Sequence, residues 1–449
     1  MFFAPKTRVC AFAAALSCVV FSGLEAQDAP QPRVFNTIVV DGNKRFTAQD
    51  IVATTGLQTG VLIGEPELMA AVESLQFTGE FEEVVITSAN TTLIIQVEEE
   101  PVYSGGLTFG VGYDTDDGVF GTVGVSINNA FDKGVAIDGR IRAAEQSQSL
   151  TFSVQSENFW AQGRPGGVRF AVENYDYDNT TYDYTFASIE PFVTFMTSER
   201  SLVELRYTLA WKDVYGINSL ASPIIFAERG DELLSGLGFS YVIVSSAKPD
   251  ALSPSAWTLR FDQDFTGLGG DAAYSDSRLT LNARQKLTPS GFAVRTTVEF
   301  GASLGLGSDN PRVSERFSLG GANLRGFERS TISPRDICLG CAPGGGNLVT
   351  ILGGNYYAVA RTDLLVPIFK QQPQLETFAF FDVGSVWDVQ TNTPPAGLLD
   401  DGADIRMSYG IGTSFDTGLG KFEAYLALGT EGEVFDERQE FGVSFRAQF

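Results

Sequence analysis

From about residue 104 to the end of the sequence, apolar and polar residues alternate in one segment after another. Clear examples are 135–142, 278–284 and 440–449. Alternation with a period of two predicts β-strands that have one apolar and one polar face. We count about 16 such strands, each long enough for the roughly 9–11 residues that a tilted membrane-spanning strand requires.

The same alternation occurs in soluble β-sandwiches, so periodicity alone does not separate a sandwich from a membrane barrel. The number and length of the strands favour the barrel, because an even number of strands closes a sheet without an exposed edge. The mean hydropathy of +0.02 agrees, since only alternate residues of a barrel strand face lipid. We therefore predict a mainly β chain, with a 16-stranded antiparallel transmembrane β-barrel over residues 101–449.

The first 26 residues have the pattern of a secretory signal peptide. Lys6 and Arg8 precede a short apolar stretch, Val9–Gly23, and Ala26 is a suitable last residue before cleavage. A membrane anchor helix is the alternative, but spanning requires about 20 clean apolar residues. We expect a signal peptide at 1–26, followed by a linker at 27–33.

Residues 34–100 have the pattern of a separate small α/β domain. A β-rich segment is followed by two predicted helices, which begin near Thr47 and near Glu65. A predicted hairpin, 81–87 with 92–98, completes the domain, and Pro101 marks its end.

The composition excludes several classes of function. There is no histidine, which excludes Ser-His-Asp and Cys-His catalysis and every metal site with imidazole ligands. The net charge of −24 argues against nucleic acid as a partner, because nucleic-acid binding needs basic patches. The acidic residues Asp114, Asp116 and Asp117 have the pattern of a solvated loop tip, and no carboxylates stand at a recognisable catalytic spacing. We expect neither an enzyme nor a cofactor or metal site.

A long connection at about 305–351 has no strand pattern. Long ordered loops in compact domains are usually functional. Its centre, Arg316–Pro334, contains the sequence Leu324-Arg325-Gly326-Phe327.

This segment resembles the inward-folded sixth loop of the outer-membrane assembly and translocation family (BamA-type and TamA-type), whose core is an Arg-Gly-Phe/Tyr triplet. The segments 353–360, 380–387 and 404–412 continue the resemblance in order. The final segment, 440–449, is similar to the C-terminal targeting strand of outer-membrane proteins. Each glycine-rich motif is weak alone, whereas the ordered set is specific.

Residues 34–100 are similar to the periplasmic POTRA repeat of the same family. The matching positions are Gly42, Asn43, Arg45, Gly60, Leu75, Gly79, Phe81 and Val97–Pro101. The chain departs from the BamA type in having room for one POTRA repeat where several are usual, and in Leu324 where Val or Ile is usual. The single repeat puts the docking of a full set of accessory lipoproteins in doubt and leaves a specialised paralogue open.

The resemblance implies a contact that we call the loop lock, formed by Arg325, Gly326, Phe327 and Asp382. In the family the loop arginine reaches an aspartate on the inner wall of the barrel. Strand alternation agrees, because Asp382 would point into the lumen if Phe381 faces lipid. Arg325 considered alone would be a solvated loop arginine.

The mature chain would keep two cysteines, Cys338 and Cys341, in the long connection. In an oxidising periplasm we expect a disulfide between them. A redox or metal pair is the alternative, although two sulfurs without histidine do not readily complete a zinc site.

The resemblance also implies a lateral seam, where the first barrel strand, 104–113, pairs with the last, 439–449. The predicted seam residues are Gly105, Gly106, Gly110, Gly112, Phe441, Phe445 and Phe449. Glycine weakens strands, so a seam of this kind would open and offer its edge to an incoming strand.

The leading expectation is an outer-membrane assembly factor that inserts unfolded β-barrel proteins through this seam, with its POTRA domain in the periplasm. The alternative is a dedicated exporter of one secreted polypeptide, and a passive pore is a third possibility that the loop and the POTRA match disfavour. The expected partners are unfolded polypeptides and outer-membrane lipids, with accessory lipoproteins left open.

Overall fold

The computed structural model describes residues 32–447 except 45, 79, 100–104, 131–133, 162, 179, 246–254, 289, 369–374, 418–419 and 433. The expected signal peptide (1–26) lies outside the described residues, as do most of the expected linker (27–33) and Phe449. The chain divides into two compact units, Met1–Glu99 and Glu100–Phe449.

The first unit contains two helices and a small sheet. Its elements are β1 (Arg33–Val34), β2 (Thr37–Asp41), α1 (Ala48–Thr55), β3 (Leu62–Ile63), α2 (Glu65–Phe77), β4 (Phe81–Ala89) and β5 (Thr92–Glu99). The main sheet has the order β2–β5–β4, in which β5 is parallel to β2 and antiparallel to β4. The short strands β1 and β3, which the sequence pattern does not predict, pair with each other.

Local sequence determines where these helices begin and end. The Thr47 hydroxyl accepts a hydrogen bond from Asp50 N at 3.2 Å, which caps α1, and Gly56 follows its end with a φ of +68°. The Glu67 carboxylate accepts from Gly64 N at 2.9 Å at the start of α2.

The core of this unit lies between the helices and one face of the sheet. Fully buried side chains come from both layers: Ile51, Ala71, Leu75, Leu93 and Ile95. The assignment of the unit to the POTRA repeat remains a prediction.

The second unit is a nearly closed barrel of 16 antiparallel strands, which confirms the predicted fold. Its elements are β6 (Gly105–Asp114), β7 (Gly118–Ala130), β8 (Val135–Ala144), β9 (Ser147–Ala161), β10 (Arg164–Tyr175), β11 (Asp183–Ser198), β12 (Ser201–Tyr215), α3 (Pro223–Ala227), β13 (Gly230–Val244), β14 (Ser255–Thr266), β15 (Tyr274–Lys286), β16 (Ala293–Gly305), β17 (Arg335–Cys338), β18 (Leu348–Ile351), β19 (Tyr356–Val366), β20 (Leu375–Trp387), β21 (Leu398–Asp400), β22 (Arg406–Thr417), β23 (Gly420–Glu431) and β24 (Phe441–Ala447).

Each barrel strand pairs with its neighbour along the chain, apart from the interruptions by β17, β18 and β21. Side chains alternate between the two faces of the wall, so on β6 the apolar Leu107, Phe109 and Val111 are exposed on the outside. On β20, Phe381 is exposed and the adjacent Asp382 is fully buried in the lumen. Among the described residues, no helix combines the length and apolar character needed to cross a membrane.

The connection between β16 and β19, residues 306–355, folds into the barrel. We call the end of the barrel from which it leaves the wall the loop end. Contrary to the sequence prediction, this connection contains strands: β17 pairs with β18 and also with β21, which belongs to the connection after β20. Strands of three or four residues are too short to give a detectable period in sequence.

Candidate functional site

The residues of the expected loop lock meet inside the barrel. Arg325 is 4% exposed and Asp382 is 0% exposed. Arg325 Nε donates to Asp382 Oδ2 at 2.8 Å, and Nη2 donates to Oδ1 at 2.8 Å. A guanidinium that donates twice to one carboxylate fixes its orientation as well as its position.

Two further carboxylates face Arg325, and sequence reasoning missed both. Arg325 Nη2 also donates to Asp363 Oδ1 on β19 at 2.7 Å, and Nη1 lies 3.4 Å from Glu423 Oε1 on β23. Asp363 is shared with Arg295, whose Nη2 lies 2.7 Å from it. Strand alternation indicates that such side chains face the lumen, but it does not indicate which of them reach the loop.

An aromatic ring completes the environment of Arg325. Its Cζ lies 3.8 Å from the centroid of the Phe380 ring, a cation–π contact. The ring lies close to Gly410 on β22, where a Cβ would come within 2.6 Å of it. The glycine of this strand therefore makes room for the ring that supports the arginine.

The backbone at Gly326 passes close to the wall. Gly326 has a φ of +92°, and a Cβ there would lie 3.0 Å from the Cβ of Ser408. The Ser408 hydroxyl donates to Arg325 O. Phe327 is fully buried and packs against Gly429, where a Cβ would lie 3.0 Å from its ring.

Apolar side chains of the loop form a core with the barrel wall. The loop contributes Leu319, Leu324, Phe327 and Ile332, and the wall contributes Tyr357, Val359 and Val386. Burying a large apolar side chain is worth about 1.5–3 kcal/mol relative to leaving it exposed. The loop is therefore bound to the wall by apolar packing in addition to the charged contacts.

The junction of the first and last barrel strands differs from the other junctions. Among the described residues, one main-chain hydrogen bond joins the two sides, from Thr115 N to Val443 O at 3.0 Å. The adjoining junctions β6–β7 and β23–β24 are continuous ladders. The predicted pairing of 104–113 with 439–449 is therefore wrong as a continuous ladder over the described parts of β6 and β24.

The predicted seam residues lie on these two strands. Gly105, Gly106, Gly110 and Gly112 lie on β6, Phe441 and Phe445 lie on β24, and Phe449 is outside the described residues. Gly112 has a packing role, because a Cβ there would come within 2.6 Å of the ring of Phe120. At the other three glycines, β6 has no side chain that could pack across the junction.

The barrel sequence is similar to that of known proteins. Residues 129–447, more than half of the chain, match the Omp85 superfamily domain. The chain belongs to the Omp85 superfamily. A curated relative, outer membrane protein assembly factor BamA of Neorickettsia risticii (strain Illinois), is 22% identical over 348 residues. These residues are 77% of this chain and 45% of the relative, so the chain spans about half the length of that protein.

Solved structures show the same fold at lower identity. BamA from Haemophilus ducreyi lacking POTRA domains 1–3 is 19% identical with a TM-score of 0.64, and covers 92% of this chain and 84% of its own. CdiB from Acinetobacter baumannii is 15% identical with a TM-score of 0.53, and the match covers 92% of this chain and 73% of the CdiB chain. CdiB from Escherichia coli is 11% identical with a TM-score of 0.51, and the match covers 95% of this chain and 92% of the CdiB chain. This Omp85 chain therefore shares the barrel fold of these solved proteins.

At the loop end of this Omp85 barrel, the short strands β17, β18 and β21 form a separate three-stranded sheet. Cys338 and Cys341 form a disulfide with Cα atoms 5.6 Å apart at the end of β17. Two residues before Cys338 on the same strand, the Asp336 carboxylate accepts from Ser222 Oγ at 2.6 Å and from Gly397 N at 2.9 Å. The strands thus connect the long loop to two other connections.

The acidic turn after β6 is not a solvated tip, and that prediction is wrong for two of its residues. Asp116 Oδ2 accepts from Ala322 N in the long loop at 3.1 Å. Asp117 lies 2.8 Å from Arg142 Nη2 and 3.2 Å from Arg329 Nη1. Burial raises the pKa of Asp116 from its ordinary value, although the Ala322 hydrogen bond and the Arg329 charge oppose the rise. A sequence signal for this contact was absent, because its partners lie more than 200 residues away.

Proposed function

We propose that this chain is an outer-membrane assembly factor, which inserts the strands of unfolded barrel proteins through the junction of β6 and β24. The observation that carries the proposal is that, among the described residues, one main-chain hydrogen bond joins the two sides, from Thr115 in the turn after β6 to Val443 on β24. An edge strand with unpaired N–H and C=O groups is a template for another strand. Entry of a client strand here would satisfy those groups and place the client's apolar face in lipid.

Magnitudes favour this route over passage through the lumen. Parting β6 from β24 at the loop end breaks one main-chain hydrogen bond, whose net contribution is about 0.5–1.5 kcal/mol in water and more in lipid. Emptying the lumen would separate Arg325 from Asp382, and breaking one buried ion pair typically costs about 3–5 kcal/mol. It would also expose the apolar loop residues, led by Leu324 and Phe327.

A dedicated exporter is the second candidate. Two observations favour it: the structural similarity to the CdiB barrels, and a cavity of about 410 Å³ between strands β11 to β15 and the long loop. Charged side chains of the barrel wall and the long loop line this cavity: Glu190, Arg206, Asp264, Asp276, Arg278 and Glu315. An exported chain would need the loop to leave the lumen.

The first unit would act as a POTRA repeat on the periplasmic side. Its sheet has β2 and β4 at its edges, and either edge could hold a client segment by adding a strand. The partners of the proposed function are unfolded outer-membrane polypeptides and the lipids that receive them.

Cross-linking the junction tests the proposal. Cysteine pairs along Gly105–Tyr113 and Phe441–Ala447 are introduced after Cys338 and Cys341 are replaced by serine. Facing Cβ atoms of paired strands lie about 4.5–5.5 Å apart, so the pairs nearest the Thr115–Val443 hydrogen bond should oxidise most readily. Insertion of an unfolded barrel client into liposomes should stop on oxidation and return on reduction. The matched control joins two strands that are already paired, with Leu279→Cys and Phe300→Cys.

The outcomes separate the two candidates. Heat-dependent gel migration of each variant shows whether the barrel remains folded. If junction-locked barrels insert clients as well as the control does, the assembly proposal is wrong. If they still pass one secreted chain across the liposome membrane, the exporter is the better account.

A further inference from the structure

The long loop contacts both hairpins that flank the junction of β6 and β24. The first flank is the turn 115–117 after β6, and the second is the connection 432–440 before β24. The loop segment between them is 321–331. Among the described residues, the hydrogen bonds that directly join the two sides at this end are those from Thr115 to Val443 O, at 3.0 Å from N and 3.3 Å from Oγ1.

On the first flank, the loop holds two adjacent acidic side chains. Ala322 N donates to Asp116 Oδ2 at 3.1 Å, and Arg329 Nη1 lies 3.2 Å from Asp117 Oδ1. Arg329 Cζ also lies 3.9 Å from the centroid of the Tyr177 ring. We call the contacts among Asp116, Asp117, Ala322 and Arg329 the turn latch.

On the second flank, the contacts are mainly between backbones. Glu328 N donates to Glu437 O at 2.9 Å, and Gln439 N donates to Gly326 O at 3.2 Å. The buried pair of Arg335 with Asp436, at 2.7 Å, lies beside them. Because the Arg335–Asp436 pair is fully buried whereas Arg329 of the turn latch is one-third exposed, the second flank is the more firmly held of the two.

We propose that the turn latch, rather than strand pairing, holds the loop end of the junction closed, and that its release is the step that allows β6 to leave β24. The proposal rests on the proposed function, because it identifies residues that would control the opening of the same junction. Asp116, Asp117 and Arg329 are positioning residues in this account. They join the turn to the loop and do not contact the client.

The chain offers a matched pair of variants. Arg329→Gln removes the ion pair from the loop to Asp117 and the contact with an aromatic ring. Arg142→Gln also removes an ion pair to Asp117 and a contact with an aromatic ring, that of Phe120 at 4.2 Å, but Arg142 lies on β8 and not in the loop. Only the first variant removes a contact between the loop and the turn, and it leaves the Ala322 hydrogen bond to Asp116 in place.

The readout is the separation of the two flanks, which does not depend on any client. Spin labels are placed at exposed Val119 and Val434, in a chain with Cys338 and Cys341 replaced by serine. Arg329→Gln removes one partly exposed ion pair and one cation–π contact, so the population with widely separated labels should rise about fivefold to thirtyfold, which corresponds to about 1–2 kcal/mol. The distance distribution of Arg142→Gln should match that of the parent.

A second variant keeps the test decisive if Arg329→Gln alters folding. Asp116→Cys with Ala322→Cys joins the turn to the loop covalently on oxidation, and heat-dependent migration reports whether the barrel is intact. The oxidised form should show one short label distance and no client insertion. Reduction should restore the longer label distances and the insertion of clients. Equal label distances in the Arg329→Gln and Arg142→Gln variants, or full insertion by the oxidised form, would overturn the turn latch. If label distances respond as expected and no form inserts clients, the latch stands and the proposed function fails.

Discussion

Arg325 differs from an ordinary loop arginine in the number of carboxylates around it. Asp382 receives two hydrogen bonds from its guanidinium, Asp363 receives one, and Glu423 lies at 3.4 Å. The residue therefore connects the loop to three separate strands of the wall. Its planar guanidinium makes this possible, since lysine offers one point charge on a flexible stem.

We predict that the contacts of Arg325 are strongly non-additive. Arg325→Ala leaves Asp382 buried without its partner, and the loop should lose about 3–5 kcal/mol of docking free energy. The double variant Arg325→Ala with Asp382→Ala should lose much less than the sum of the single losses. Arg325→Lys should fall between Ala and the parent. Protease accessibility of the loop in detergent gives the docking free energy of each variant.

Glu423→Gln is the control for this series, because its 3.4 Å contact is long and its loss should change docking by about 1 kcal/mol or less. Strictly additive losses for Arg325 and Asp382 would mean that the two residues act independently. The sequence predicted this pair through the resemblance and through strand alternation. It did not predict Asp363 or Glu423, because alternation gives the face of a residue but not its distance from a loop.

At the scale of elements, the strands were predictable and the connections were not. Strands of ten or more residues alternate long enough to be recognised, so their number and their inward positions follow from sequence. The three short strands β17, β18 and β21 are too short to show a recognisable alternation. The acidic turn after β6 has a composition typical of solvated turns, and its contact with the loop depends on how the barrel curves.

The contact between the loop segment and the connection before β24 contains two carboxyl groups, and this makes it dependent on pH. Burial raises the pKa of Glu328 above its ordinary value of 4.5, and a hydrogen bond and charge from Glu437 and the charge of Asp116 act in the same direction. A raised pKa means that the docked loop retains this proton at a pH where the undocked loop has lost it. Docking is therefore strongest at low pH and weakens as the pH rises from 4.5 through the raised pKa.

We predict that Glu328→Gln removes the Glu328 part of this dependence, because glutamine keeps a hydrogen-bonding group and carries no charge at any pH. Label distances between positions 119 and 434, measured from pH 4 to pH 8, would show the parent separating more at high pH and the variant separating less, with the raised pKa of Asp116 accounting for the remainder. Thr331→Ser, which keeps the hydroxyl that accepts from Glu437 N at 2.9 Å, should retain the dependence of the parent. A parent without any change over this range would contradict the prediction.

At the scale of the whole molecule, the barrel combines a wall that is paired around most of its circumference with one junction that is not. The resemblance predicted where that junction lies. It did not predict that the loop would contact both flanking hairpins, because those contacts join residues from the two ends of the barrel sequence. Such long-range contacts form only when the sheet has curved round, and no local pattern records the curvature.

The position of Arg325 in the chain has a consequence for the order of folding. Asp363, Asp382 and Glu423 all follow it in sequence, as do Gly429 and Gln439, which contact the next two loop residues. During refolding the loop has no complete binding site until β23 and the hairpin after it exist. Pulse proteolysis of the refolding chain should show the loop gaining protection together with β23 and not with β16. Early protection of the loop would show that β19 and β20 suffice. The loop should therefore close the lumen in the same late step that completes the barrel. We expect the interior of a partly folded chain to be open.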